Sequence, residues 1–176
     1  AAMRDGLVAR NATAGVRLPL VERAPVTPMS PESAEAILDA VAKTWITLPV
    51  RVLLGSGMRL GEVMGLDQRD LLLDAGFVRV RRSKTTIRAV PVSEDAVAAL
   101  RAALVKAPRR GDDEPVFFAQ EGTDRMHGPS VSHAFPRILK AAGLPRLTVH
   151  GLRHGAATLM LADGTPMRVI SEQLGH

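Results

Sequence analysis

The chain has 176 residues, 46% of them apolar and 23% charged, the composition of a folded globular protein and the length of one domain, or of one domain plus a short appendage. It has no cysteine and a formal net charge of +5, which excludes disulfides and thiolate metal sites and favours an anionic partner. Aromatic residues make up 3% and tyrosine is absent, which argues against stacking single-stranded bases on exposed rings. Contact with nucleic acid is instead expected through arginine, lysine and backbone amides to phosphates. No apolar run approaches the ~20 residues of a membrane span, and the opening residues lack a signal-peptide pattern. A cytoplasmic protein without a membrane partner is therefore expected.

Residues 1–28 read as a lead-in, whose RLPLVERAPVTP stretch is an extended, proline-marked connector. Ser30-Pro31-Glu32 opens the first helix, with serine as cap and proline in the first turn. Ile37, Leu38 and Val41 give it helical spacing. A second apolar segment follows Pro49 and is expected to stop at Gly55 and Gly57, before a short RLGEVMGL helix.

The next stretch reads as strands. Asp74-Ala75-Gly76 is a hairpin signal, and Phe77 to Arg82 and Ile87 to Val92 both alternate. A small three-stranded antiparallel meander is predicted, with Ser83-Lys84-Thr85 at a tip. Ser93 caps a helix with Val97, Leu100 and Leu104 as its stripe, and VFF is a brief buried segment. Val131, Phe135, Ile138 and Leu139 mark another helix, with a bend expected at Pro136. Thr148 caps the next one, which ends near Gly164, and Thr165-Pro166 opens a last helix reaching Leu174. The fold class is mainly α (α+β).

Three motifs carry chemistry. In HGLRH, His150 and Arg153 lie roughly 60° apart beside the core-facing arc of Val149, Leu152, Ala156, Leu159 and Met160. The bland alternative is a boundary helix with a structural His and Arg. His150 and His154 share i, i+4 spacing, but Gly151 stands where a zinc-hydrolase helix needs glutamate, so no metal cofactor is expected. In GSGMRLGE, Arg59 at a helix start suits a phosphate oxygen, braced by Glu62; a surface pair with Glu62 explains it equally. The glycines do not match a dinucleotide fingerprint. In RVRRSKTTIR, Arg79, Arg81, Arg82, Lys84 and Arg88 have no acid between them, which is either a solvated face or a hairpin laid on DNA.

In order, GMRLGE, a hairpin lysine, HGLRH and LGH resemble the catalytic domain of the tyrosine recombinase (phage integrase) family over roughly residues 29–176. A type IB topoisomerase shares the chemistry, but the compact spacing and LGH favour the recombinase. The resemblance implies a site-specific DNA recombinase acting through a 3′-phosphotyrosyl intermediate, without metal or nucleotide. It implies that Arg59 and Arg153 bind the scissile phosphate and that Lys84 is the general acid for the leaving 5′-oxygen. His150 would act in acid–base work, His176 would hydrogen-bond the phosphate, and Glu62 would support Arg59. Double-stranded DNA and further protomers in a tetrameric synapse are the implied partners, in a bacterial or phage-encoded system.

One departure is large: the family's nucleophile should follow LGH, and the sequence contains no tyrosine. The 176 residues are therefore expected to be a fragment that cannot cleave DNA, with the lead-in as the tail of a core-binding domain. The alternative is a non-catalytic DNA-binding module derived from a recombinase.

Overall fold

A computed structural model of the chain describes residues 28–81, 87–106, 111–119 and 124–175, together with 3, 6, 8, 9 and 15. Arg82, Lys84 and His176, and with them the tip of the hairpin, lie outside the described residues. Seven helices and a three-stranded antiparallel sheet of order β1-β2-β3 occupy that span.

Helix α1 (Pro31–Val41) begins where the cap predicts: Ser30 Oγ accepts the Ser33 N–H at 3.2 Å, and Ala34, Ile37 and Val41 face inward. Helix α2 (Thr47–Ser56) differs from expectation at both ends. It starts before Pro49, because the first four N–H groups of a helix have no partner within it and a proline there forfeits nothing. It also continues through Gly55, whose role is to admit a neighbour, and stops at Gly57 in the left-handed region at φ 66°. A Cβ on Gly57 would also lie 2.8 Å from Leu174 Cδ2, so both the turn and the packing require glycine.

Short α3 (Leu60–Met64) and a 3-10 turn (Gln68–Asp70) lead to β1 (Leu71–Leu72), β2 (Phe77–Val80) and β3 (Arg88–Pro91). Val78 pairs with Val90 and both are buried, whereas Arg79, opposite Ala89, lies on the other face of the ribbon. The strands are shorter than the alternation suggested. Gly76, at φ 74°, makes the turn between the first two.

Helix α4 (Glu94–Lys106) is capped by Ser93, whose Oγ accepts the Ala96 N–H at 3.4 Å. Helix α5 (Gly128–Ala141) continues through Pro136 and buries Val131, Phe135 and Leu139 along one stripe. Thr148 caps α6 (Val149–Ala162) by accepting the Gly151 N–H at 3.1 Å, and α7 (Met167–Leu174) closes the described chain.

Helix α2 sits at the centre and packs against α1, α3, α4 and α6. Its buried Val50, Val52 and Leu53 meet side chains such as Leu100 and Leu152 in one continuous core. Each buried side chain of this size contributes roughly 1.5–3 kcal/mol. The same arrangement delivers the C-terminal turn of α2, the start of α3, the middle of α6 and the end of α7 to one place.

Candidate phosphate-binding site

Glu62 is the hub of that place. It is 8% exposed, and it closes the start of α3 because its Oε2 accepts the backbone N–H of Arg59 at 2.8 Å. The Arg59 side chain adds a bond from Nη1 to Oε1 at 3.1 Å. Arg88, arriving on β3, grips the same carboxylate with both ends of its fork, Nη1 to Oε1 at 3.1 Å and Nη2 to Oε2 at 2.9 Å. Burial alone would raise the Glu62 carboxyl. The Arg59 N–H and the Arg88 guanidinium outweigh it, and the carboxyl is held below its ordinary range.

Arg153 enters from α6. The residue is 5% exposed, and its guanidinium donates from Nη1 to Gly57 O at 2.8 Å and from Nη2 to Leu174 O at 2.6 Å. Both acceptors are at helix C-termini, where unpaired carbonyls present partial negative charge to a cation. Burial first, and then the charge of Arg59, lower the affinity of Arg153 for its proton; an arginine still remains charged there. Arg59, half-exposed, donates from Nη2 to Gly175 O at 3.3 Å. Two consecutive carbonyls at the end of α7 therefore hold the two arginines.

Gly175 makes this possible. At φ 71° it turns the chain out of α7, and a Cβ there would lie 2.7 Å from Arg88 Nη1. Gln173 adds a further tie, its Nε2 donating to Ser56 O at 3.0 Å. Two guanidiniums thus grip one carboxylate and a third, that of Arg153, feels its charge, and the surplus positive charge suits a phosphate.

Arg59, Glu62 and Arg153, chosen from sequence as site residues, come together. Arg88, read as part of a basic hairpin, joins them as the brace of Glu62. Arg81 is paired with the buried Asp70, and Arg79 makes no ion pair with any described residue. His150 does not reach the arginines: its Nε2 faces that of His154 at 3.0 Å on the exposed side of α6. Among the described residues, no group of three His, Asp or Glu could hold a metal. The carbonyls of Gly57, Leu174 and Gly175 were not foreseen. A side-chain pattern carries no signal for a backbone acceptor; only the left-handed glycines hinted at one.

The Phage integrase family model matches residues 28–176. The chain belongs to that family. This family member is 34% identical to the tyrosine recombinase XerC of Rhodospirillum centenum over 183 aligned residues, covering 98% of the chain and 53% of the relative. It is 28% identical to the tyrosine recombinase XerA of Pyrococcus furiosus over 92% of the chain and 57% of the relative. The chain thus spans about half the length of the curated relatives it matches.

A crystal structure of XerA recombinase superposes with a TM-score of 0.75 at 27% identity, over 92% of this chain and 60% of that one. The fold is also that of a lambda integrase dimer bound to a COC′ core site (TM-score 0.74, 22% identity, 99% of this chain and 51% of that one). The seven helices and small antiparallel sheet are those of tyrosine recombinase catalytic domains.

Proposed function

We propose that residues 29–176 form the phosphate-binding part of a site-specific DNA recombinase active site, acting on double-stranded DNA through a 3′-phosphotyrosyl intermediate. The observation that carries this is the pair of arginines, Arg59 and Arg153, fixed on adjacent carbonyls of Leu174 and Gly175. Guanidiniums held in advance around one point stabilise the charge that builds on a phosphorane-like transition state without reorganising during reaction. The attacking tyrosine forms the new bond to phosphorus, and the 5′-oxygen leaves with a proton from Lys84. His150 handles the proton of the nucleophile and His176 adds a hydrogen bond to a phosphate oxygen. Glu62 and Arg88 keep Arg59 in place.

The 176 residues contain no tyrosine, so cleavage by this route takes its nucleophile from outside them. Several protomers then assemble on DNA, as a recombination synapse requires. A second reading is a DNA-occupying module that regulates an intact recombinase, which uses the same arginines and needs no tyrosine.

The test joins a tyrosine-bearing segment from XerC after His176 and looks for covalent protein–DNA adducts on a nicked duplex. Adducts are expected. Arg59→Ala and Arg153→Ala should each lower their rate on the order of 10²–10³-fold. Adducts formed at the parent rate by either variant would overturn the proposal. Duplex binding with no adduct at all would favour the regulatory module.

A further inference from the structure

Helix α6 presents His150 and His154 one turn apart on its exposed side, with their Nε2 atoms 3.0 Å from each other. The ring centroids are 4.6 Å apart and the planes meet at 88°. Two neutral imidazoles hold this geometry only when one Nε2 carries a hydrogen and the other offers its lone pair. Once that proton moves through water to the far ring nitrogen, both lone pairs aim at the gap between the rings.

A metal ion fits that gap. With metal–nitrogen bonds of about 2.0–2.1 Å, nitrogens 3.0 Å apart subtend roughly 95° at the ion, close to the right angle of square or octahedral coordination. The helix supplies the rigidity a chelate needs. Thr148 closes its first turn, and Thr158 Oγ1 donates to His154 O at 3.0 Å. Two imidazoles with no carboxylate select copper, nickel or zinc over magnesium or calcium. No third His, Asp or Glu among the described residues completes a cage, so the ion keeps its remaining positions for water and exchanges.

We propose that His150 and His154 form a chelating site for an exchangeable divalent transition metal, and that its occupation switches DNA cleavage off. The metal takes the same Nε2 lone pair that His150 needs to accept a proton. The switch, though not the chelate, rests on the acid–base role given to His150 above.

Copper(II) titrated into the 176-residue chain, followed by calorimetry and by nitrogen hyperfine structure in its paramagnetic resonance spectrum, tests the site without DNA. A two-nitrogen signature is expected, with affinity at least about tenfold weaker in His150→Ala and in His154→Ala. His127→Ala and His133→Ala should keep it, and thermal melts check that each variant folds. Parent affinity in both α6 variants would overturn the site while leaving the recombinase proposal standing. In the tyrosine-bearing fusion, copper should suppress adduct formation, a chelator should restore it, and His154→Ala should escape. Copper that binds at the pair yet leaves adduct formation untouched would overturn the switch.

Discussion

Glu62 satisfies a backbone N–H and two guanidiniums at once, so its charge is worth more folded than unfolded. Its carboxyl sits below the ordinary value of 4.5, and the sign of the consequence follows. A depressed carboxylate contributes stability that is fully present above that value and is lost as pH falls through the folded pKa. Glu62→Gln keeps the shape but cannot ionise. At neutral pH the parent should resist urea better than the variant, and the gap should close progressively below pH 4.5. A gap of constant width down to acid unfolding would show that the carboxylate charge is not what holds the arginines. Arg88 belongs to the same unit, and lysine cannot replace it because only a planar fork grips both oxygens.

Among the helices, α2 and α4 approach closely at Gly55. Gly55 lies within α2, where alanine is the better helix former by about 1 kcal/mol. A Cβ there, however, would collide with Ser93 Oγ and lie 3.0 Å from Ala96 Cβ. Ser93 has no freedom to yield, since its N–H donates to Gly55 O at 2.9 Å and its hydroxyl caps α4. Overpacking costs roughly 1–3 kcal/mol and wins. Gly55→Ala should therefore lower the urea midpoint, with the slope of the transition unchanged; a rise would mean that the two helices part freely.

Much of the element order was legible because it is written locally, in Ser30, Thr148, Gly57 and the alternation from Phe77. The run of α2 through Gly55 was not, because the residue that explains it, Ser93, is far along the chain. The pairing of Arg88 with Glu62 was illegible for the same reason. Its partner acid is 26 positions away, and only the fold brings β3 beside α3.

At the scale of the whole molecule, the net charge of +5 matters through where it is free to act. Arg81 is tied to Asp70 and Arg88 to Glu62, whereas Arg79 points from the open face of β2 with no ion pair among the described residues. Binding of a random duplex should weaken steeply with salt, and Arg79→Ala should shallow the logarithmic slope by about one. Arg81→Ala should leave the slope nearly unchanged and reduce stability by roughly 1–3 kcal/mol, because it strands the buried Asp70. Equal slopes for the parent and Arg79→Ala would remove that face of the hairpin from the proposed DNA interface.

Leu174 and Gly175 are joined by one peptide unit, and each of their carbonyls holds a different arginine. With bond lengths and peptide planarity fixed, the separation of those two acceptors is set by the φ and ψ of Gly175 alone. Gly175 is thus the pivot of a two-carbonyl caliper. A change that moves Gly175 out of its left-handed conformation resets the separation of the two guanidiniums without touching the core, so the setting of the arginines and global stability can drift independently in this fold.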